Sequence, residues 1–225
     1  MQTGIIIPVL LRKETPLRTQ NFLHTLNAIE GVGLKDHCVV VLQKTPTSIQ
    51  FNDDLFNVIN IETEDELIHK SKLVNEGVRY HSKRGKKFAL MIDSDIHFRI
   101  LDVMNRMESE DASQIGGIKP FQWFFRLDPE QSAKVKSGES ISVSSSTEKV
   151  DYPAAGAWGF SIEAWSDLGG MDEGYTGWGW EDCDFSVRMR SQRPWKNYPG
   201  VGFHLDHEND RQFNDANLTL FNKSF

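Results

Sequence analysis

The sequence predicts an α/β protein with a doubly wound, mostly parallel sheet. Short apolar runs typical of buried strands alternate with segments in which apolar residues recur at helical spacing. The predicted strands of the first half are residues 5–11, 38–42, 56–61 and 88–92, and the predicted helices are residues 17–29 and 64–80. Strand–helix alternation is the pattern of a parallel sheet covered by helices on both faces, so we expect ligands at the carboxyl ends of these strands.

The first strand and helix carry their own boundary signals. Pro8 lacks a backbone N–H, so the strand is expected to end or bend near it. Thr15 is predicted to cap the following helix, with Pro16 at its first position. The Gly-Val-Gly sequence of residues 31–33 is expected to end that helix.

The second half of the chain has a less regular pattern. Residues 115–125 are apolar and aromatic, which favours strands, whereas the Ser-, Gly- and charge-rich residues 128–150 predict an irregular or hairpin excursion. The remaining predicted elements are a strand leading into a short helix at residues 154–165, a helix at 180–190 and a final strand at 200–204.

Composition and charge limit the classes of protein that the chain can belong to. The 225 residues carry a net charge of -7 at neutral pH, which disfavours a nucleic-acid-binding protein because phosphate binding needs a basic surface. The two cysteines, Cys38 and Cys183, are too few for a disulfide framework or a zinc site. No run reaches the ~18 apolar residues of a membrane span, and the amino terminus lacks signal-peptide features. We therefore expect a soluble, cytoplasmic protein with no integral membrane segment.

Asp93-Ser94-Asp95 follows the fourth predicted strand directly. Two carboxylates two residues apart at a strand end can present oxygens to one hard divalent cation. Such an ion can bridge the two phosphates of a nucleoside diphosphate and neutralise the charge that grows on it as a leaving group. The alternative is a helix cap or a surface turn, because the motif also occurs by chance.

His204 and His207 lie three residues apart, after the last predicted strand. A neutral imidazole can complete the coordination of a metal bound by carboxylates. The alternative is a pair of polar histidines at the rim of the sheet.

Residues 169–184 combine glycines, aromatic residues and acids. The rings of Tyr175, Trp178 and Trp180, with Gly179 among them, are suited to contact the C–H faces of a sugar acceptor. Glu181 and Asp182 follow at a predicted helix start, where the helix dipole favours carboxylates and where a general base can be held. The alternative is a glycine-rich loop followed by capping acids.

Five segments, in chain order, resemble GT-A glycosyltransferases, most closely the catalytic domain of the β1,4-galactosyltransferases (glycosyltransferase family 7) and related bacterial family 2 enzymes. The segments are residues 6–12 (IIPVLLR), 69–77 (HKSKLVNEG), 91–95 (MIDSD), 156–161 (GAWGFS) and 177–184 (GWGWEDCD). The last is similar to a specific signature of the family, although Trp180 stands where the family has a glycine and Cys183 where it has an aspartate.

The resemblance implies a GT-A fold over residues 1–225 as a single catalytic domain. Residues 1–100 would form the nucleotide-sugar-binding half, and residues 101–225 a smaller acceptor-binding and catalytic half. The residues that it places in the donor site are Pro8, Val9, Arg12, Lys72, Asn75, Asp93, Ser94 and Asp95.

The resemblance also implies roles for the charged residues. Asp95 is the leading metal ligand, with Asp93 assisting, and His204 and His207 occupy positions at which the family contacts the metal. Asp182 matches the catalytic base, and Glu181 is its neighbour on the acceptor.

The function expected on these grounds is inverting transfer of a hexose or an N-acetylhexosamine. The donor would be a UDP-sugar, the acceptor a hydroxyl of a glycan or glycoconjugate, and the cofactor Mn²⁺ (or Mg²⁺). Two alternatives are a sugar-phosphate nucleotidyltransferase and a non-catalytic protein that binds nucleotide sugars or carbohydrate. The absence of glycine from residues 8–15 disfavours the nucleotidyltransferase, which would need a glycine-rich phosphate loop there.

Overall fold

A computed structural model describes residues 1–51, 54–143, 148–149, 156–208 and 214–224, and of residues 148–149 only the backbone. The strands are β1 (Thr3–Val9), β2 (Cys38–Lys44), β3 (Asn57–Glu62), β4 (Phe88–Ile92), β5 (Ile96–His97), β6 (Gly117–Lys119), β7 (Trp123–Arg126), β8 (Glu148–Lys149), β9 (Ala157–Ser161), β10 (Trp195–Asn197) and β11 (Val201–His204). The helices are α1 (Pro16–Gly31), α2 (Lys70–Ser82), α3 (Ile100–Glu108), α4 (Pro129–Lys136), α5 (Ile162–Asp167), α6 (Glu181–Gln192) and α7 (Asp215–Ser224).

Seven strands form the large sheet, in the order β10-β6-β9-β4-β1-β2-β3. Strand β9 runs antiparallel to its neighbours β4 and β6, and the other neighbouring pairs are parallel. The predicted α/β class with a mostly parallel sheet is therefore confirmed. Strands β6, β9 and β10 come from the second half of the chain, so residues from both halves form the large sheet.

Helices cover both faces of the large sheet. Ile5 and Ile7 of β1 pack in one apolar cluster with Phe22 of α1, whereas Ile6 packs in a second cluster with Val74 of α2. This alternation follows from the period of two along a strand, which sends successive side chains to opposite faces. Gly77 lets α2 approach β1 closely, because a Cβ there would meet the Ile6 side chain at 2.5 Å.

A smaller sheet has the strand order β5-β11-β7-β8. His204 of β11 pairs with Ile96 of β5, and the N–H of Leu205 donates to the carbonyl of Asp95 at 2.9 Å. The end of β11 is thereby held beside the segment that follows β4. Among the described residues, no helix is both long enough and apolar enough to cross a membrane.

Helix α2 begins six residues later than the predicted start at residue 64. The Gln43 side chain accepts from the backbone N–H of His69 and donates to the carbonyls of Asp65 and Leu67. The Asp65 carboxylate accepts from the N–H of Leu67. These side chains hold the backbone of residues 65–69 outside a helix, which is how local side-chain bonds compete with helix formation.

Helix α4 corrects the prediction of an irregular excursion over residues 128–150. Asp128 and Gln131 form a capping box, in which each side chain accepts a hydrogen bond from the other residue's backbone N–H. Pro129 occupies the first turn, where its missing N–H costs nothing. This start signal is present in the sequence. Residues 144–147 and 150 of the predicted excursion lie outside the described residues.

The cap of α1 also differs from the prediction. Thr15 occupies the cap position, but its side chain makes no capping hydrogen bond. Instead Glu208 accepts from the backbone N–H of Leu17 at 2.9 Å and of Arg18 at 3.4 Å. The Glu208 carboxylate therefore accepts hydrogen bonds from free backbone N–H groups at the start of α1. The same contact anchors the segment that carries His207.

Candidate active site

The predicted functional residues gather at the carboxyl ends of β4 and β11 and at the amino ends of α2 and α6. The N–H of Asp93 donates to the carbonyl of Gly156 at 2.7 Å, and the carbonyl of Asp95 accepts from Leu205. The turn after β4 is thus fixed between β9 and β11. Ser94 lies in this turn, and its carbonyl accepts from the hydroxyl of Thr25 in α1.

Asp95, His204 and His207 form a cluster suited to a metal ion. One ligand atom from each lies within 4.8 Å of the others. The Asp95 carboxylate is 3.1 Å from Nε2 of His207 and 3.9 Å from Nε2 of His204. Burial by itself would raise the pKa of Asp95, but the two histidines hold it well below its usual range. Asp95 therefore stays ionised and available as a ligand.

The hydrogen bonds of the two histidines fit a cation at this cluster. Nδ1 of His207 lies 2.6 Å from the carbonyl of Glu208, which can only accept, so Nδ1 carries the proton. Nε2 faces the Asp95 carboxylate. Burial alone would lower the pKa of His207, but Asp95 raises it, so Nε2 can bind a proton in this position or a metal ion in place of that proton. Nδ1 of His204 is buried without a hydrogen-bond partner in the described part of the chain. One carboxylate and two imidazoles are a donor set that can bind a divalent transition-metal ion.

Asp93 interacts with Asp95 and His204 electrostatically, and its carboxylate also belongs to a second group of charges. Its carboxylate lies 2.9 Å from Nζ of Lys70, and the same ammonium lies 2.9 Å from the Asp182 carboxylate. Burial alone would lower the pKa of Lys70, but Asp182 and Asp93 raise it well above its ordinary value. Lys70 thus remains a cation and bridges the turn after β4 to the start of α6.

Lys70 is the site residue that the sequence prediction missed. It is the first residue of α2, where the helix dipole disfavours a positive charge. The two facing carboxylates offset that cost. A lysine at a helix start inside segment 69–77 was the available signal, but the predicted helix began upstream of it.

Asp182 and Glu181 have protonation behaviour opposite to that of Asp95. Burial raises the pKa of Asp182 to about 7, against the opposing effect of Lys70. Its Oδ1 is buried and has no hydrogen-bond partner among the described residues. Burial also raises the pKa of Glu181, whose Oε2 accepts from the N–H of Gly179 at 3.0 Å. An aspartate with a pKa near neutrality and a free oxygen can accept a proton.

The loop before α6 presents two tryptophans to solvent. Trp178 is 41% exposed and Trp180 is 39% exposed. Trp180 has φ 75°, and it is the only non-glycine residue with a positive φ in the part of the chain that the structure describes. A side chain in this region costs roughly 1–2 kcal/mol, so the surrounding contacts must hold the backbone there.

Two predicted binding residues are placed differently from the expectation. Tyr175 is only 2% exposed, whereas Trp178 and Trp180 are partly exposed. Asn75 is buried, and its side-chain amide bonds to Met171, Glu173 and Trp165. It therefore fastens α2 to the loop after α5.

The other predicted donor residues lie near the end of β1 and on α2. Pro8 and Val9 end β1 and are buried, so only their backbone could face a ligand. Arg12 is half-buried and donates to the carbonyl of Glu66. Lys72 is a half-buried residue of α2, two positions after Lys70.

Comparisons with known proteins place this geometry in a wider context. A family model described as "N-terminal domain of galactosyltransferase" matches residues 139–196, which include Glu181 and Asp182. The catalytic domain of Drosophila β1,4-galactosyltransferase 7, in complex with xylobiose, matches 99% of this chain and 80% of its own, with 16% identity and a TM-score of 0.55. GalNAc-T7 with UDP, GalNAc and Mn²⁺ matches 99% of this chain and 47% of its own, with 11% identity and a TM-score of 0.61. A search of curated proteins gave no match.

The chain has the GT-A fold. A variant of the Drosophila enzyme in complex with manganese, UDP-Gal and xylobiose also matches, with 15% identity and a TM-score of 0.54 over 97% of this chain and 79% of its own. A glucose-1-phosphate thymidylyltransferase from Bacillus anthracis matches 98% of this chain and 94% of its own, with 9% identity and a TM-score of 0.50. At these identities the GT-A fold is shared by proteins with different reactions, so the reaction must be argued from the site.

Proposed function

We propose that the chain is a metal-dependent, inverting glycosyltransferase that moves a hexose or N-acetylhexosamine from a UDP-sugar to a glycan hydroxyl. One observation carries the proposal. A metal-type cluster at Asp95 and a proton-accepting Asp182 lie on the same edge of the fold, joined through Lys70 and Asp93. The solved GT-A structures that contain manganese, UDP-Gal and xylobiose support this choice of cofactor, donor and acceptor class.

Asp95, His204 and His207 would hold the divalent ion, Mn²⁺ or Mg²⁺. When bound, such an ion stabilises the negative charge of a departing diphosphate. The two rings approach Asp95 from β11 and from the segment after it, and the backbone contact between Leu205 and Asp95 fixes the separation. Tertiary structure would therefore bring the three proposed ligand side chains together.

Asp182 would act as the general base. It takes the proton from an acceptor hydroxyl while the new bond forms to the anomeric carbon and the bond from that carbon to the phosphate oxygen breaks. A single displacement of this kind inverts the anomeric configuration. Lys70 donates to Oδ2 of Asp182, and Oδ1, which is buried and has no hydrogen-bond partner among the described residues, would be the oxygen that accepts the proton.

The exposed rings of Trp178 and Trp180 would bind the acceptor sugar by stacking. Glu181, buried behind them and hydrogen-bonded to Gly179, would orient an acceptor hydroxyl towards Asp182. The direct sequence Trp180-Glu181-Asp182 places the sugar platform next to the base.

The alternative enzyme is a sugar-phosphate nucleotidyltransferase. The similarity to the thymidylyltransferase means that the fold is compatible with that reaction. That reaction transfers the nucleotidyl group of a nucleoside triphosphate to the phosphate of a sugar phosphate with release of pyrophosphate, and it needs no base aimed at a sugar hydroxyl. The partner-free oxygen of Asp182 beside two exposed tryptophans favours glycosyl transfer. Release of pyrophosphate from UTP and glucose 1-phosphate would identify the alternative.

A donor screen and one substitution test the proposal. The chain is incubated with Mn²⁺ and UDP-galactose, UDP-glucose, UDP-N-acetylglucosamine or UDP-N-acetylgalactosamine, with xylobiose and other glycans as acceptors, and UDP release and product stereochemistry are measured. Asp182→Asn keeps the size of the side chain but removes the proton acceptor. We expect it to lower turnover by roughly 10²–10⁴-fold while UDP–Mn²⁺ binding persists.

Glu181→Gln is the matched comparison on the same helix turn. We expect it to raise the KM for the acceptor more than it lowers kcat. Wild-type turnover in Asp182→Asn would remove the proposed base, and a product with retained configuration would exclude the single displacement. UDP–Mn²⁺ binding without turnover on any donor would favour the non-catalytic binding protein.

A further inference from the structure

Helix α7 has an unusual relation to the rest of the fold. Its only buried side chain among the described residues is Asn217, which is 0% exposed. An amide is a poor group to bury for its own sake, because each of its polar atoms must find a partner. The partners of Asn217 therefore indicate what the helix is docked against.

All hydrogen bonds of the Asn217 side chain go to the loop that precedes α6. Its Nδ2 donates to the carbonyls of Thr176 and Gly179, each at 2.9 Å, and its Oδ1 accepts from the N–H of Thr176 at 3.3 Å. Asn214, just before the helix, donates to the hydroxyl of Thr176 at 2.9 Å. The loop backbone on both sides of Trp178 is thus tied to α7.

A second contact reaches Trp180 itself. The ring of Phe221 packs on the Trp180 ring with centroids 4.9 Å apart and an interplanar angle of 35°. Asn217 and Phe221 are four residues apart, so they lie on one face of α7. That face contacts the residue whose left-handed backbone most needs support from its surroundings.

We propose that Asn217 and Phe221 are positioning residues for the acceptor platform, formed by Trp178 and Trp180, and for the start of α6. The carbonyl of Trp180 accepts the N–H of Asp184 at 2.8 Å, so the backbone of Trp180 forms the first turn of the helix that carries Glu181 and Asp182. Gly179, whose carbonyl accepts from Asn217, also donates its backbone N–H to Glu181. Movement of the loop would displace the tryptophans and the acid pair together.

The catalytic consequence of this proposal rests on the proposed function, whereas its structural part does not. A displacement of about 1 Å far from the reacting atoms can cost on the order of 100-fold in rate. The donor side should be unaffected, because Asp95 and the histidines are held by β4, β5 and β11. Selective loss on the acceptor side is therefore the signature of a positioning role.

The experiment compares Asn217→Ala and Phe221→Ala with Asn222→Ala, a change of the same amide on an exposed position of the same helix. Hydrogen–deuterium exchange of residues 174–180 is measured first. We expect Asn217→Ala to speed exchange of the Thr176 amide by roughly fivefold or more, because that N–H loses its acceptor. Asn222→Ala should leave the exchange of this segment unchanged.

Kinetics then separate positioning from simple stability. With the donor and acceptor pair that gives most UDP release, kcat/KM for the acceptor should fall roughly 10–100-fold in both variants while the Kd for UDP with Mn²⁺ is unchanged. Phe221→Tyr keeps the ring and should restore the acceptor constant of Phe221→Ala. Faster exchange with wild-type acceptor kinetics would make α7 a structural cap only, and unchanged exchange would overturn the proposal altogether.

The two proposals fail in different ways. Full turnover in Asp182→Asn would remove the proposed base but would leave the exchange result for Asn217 standing. Loss of turnover in Asp182→Asn together with unaffected acceptor kinetics in Asn217→Ala would remove only the positioning role.

Discussion

Asp95 and Asp182 are the same residue type at the same edge of the fold, and their surroundings give them opposite proton chemistry. Asp95 faces two imidazoles, which keep its pKa well below the usual range despite burial. Burial raises the pKa of Asp182 to about 7 although Lys70 opposes the shift. One carboxylate is thus suited to remain a charged ligand and the other to exchange a proton.

Under the proposed function, this difference would let one site hold a metal ion and a general base at the same pH. Pairs of titratable groups whose environments separate their pKa values mark the division of roles in many active sites. Here Asp93 and Lys70 lie between the two, and burial raises the pKa of Asp93 while Lys70 opposes it. Lys70 thereby links the Asp93 carboxylate, after β4, to the Asp182 carboxylate, in the first turn of α6.

The largest expected effect comes from removing Asp95, the leading candidate metal ligand. Asp95→Ala should weaken Mn²⁺-dependent binding of UDP by more than roughly 100-fold, because changes to residues behind a ligand already cost 10–100-fold. Titration calorimetry of UDP with and without Mn²⁺ measures the effect. Binding that keeps its full Mn²⁺ dependence in this variant would show that the ion lies elsewhere.

Each histidine should contribute separately to metal affinity. We expect His207→Ala and His204→Ala each to raise the apparent Kd for Mn²⁺ by roughly 10–100-fold without shifting the pH dependence of turnover. His37→Ala, in the short helical turn before β2, is the control of the same residue type. If His37→Ala and the two test variants bind Mn²⁺ alike, the histidines form only a polar rim.

The ionisation of Asp182, the proposed base, should determine how turnover depends on pH. Since Asp182 must be ionised to accept a proton, turnover should rise with pH through about 7 and be roughly tenfold below its plateau near pH 6. Lys70 stabilises the ionised form of Asp182, so Lys70→Met should raise the pKa of Asp182 and move the rise to higher pH. Lys70→Arg should leave the midpoint in place.

Lys72→Met is the matched control for the pH profile, since it removes a lysine from the same helix. It should leave the midpoint unchanged, whatever its effect on donor affinity. A midpoint that does not move in Lys70→Met would mean that another group controls the rise.

The smallest expected effect is a loss of stability that distinguishes the structural capping acid Asp128 from the proposed base Asp182. Asp128 caps α4 through a capping box, whereas the carboxylate of Asp182 faces Lys70. Asp128→Ala should therefore cost about 1 kcal/mol of stability, a fall in Tm of about 2–4 °C for a chain of this size, with turnover unchanged. Asp182→Asn should show the reverse, and equal losses of Tm in the two variants would contradict the distinction.

Local signals in the sequence predicted most of the fold. The predicted strands at residues 38–42 and 88–92 correspond to the buried strands β2 and β4, because a continuous apolar run has few alternatives to a buried strand. The strand predicted at residues 56–61 corresponds to β3, but β3 lies at the edge of the sheet and its residues are exposed or half-buried, not buried as expected. The start of α2 could not be predicted in this way, since Gln43 from a neighbouring strand holds residues 65–69 outside the helix. The capping box of α4 was a readable signal that the composition of residues 128–150 obscured.

In the candidate site, too, some features could be predicted from the sequence and others only from the tertiary structure. By itself the sequence determined the α/β class and the presence of the acids, histidines and tryptophans, because hydrophobic periodicity and motif spacing are local properties of the chain. Only the tertiary structure decided the partnerships: Asp95 with the histidines, Asp93 with Lys70, and Asn217 with the loop before α6. It also removed Tyr175 and Asn75 from the exposed surface of the site. These contacts join residues more than 20 positions apart, and the burial that shifts the pKa of Asp182 arises only when the chain has packed around it.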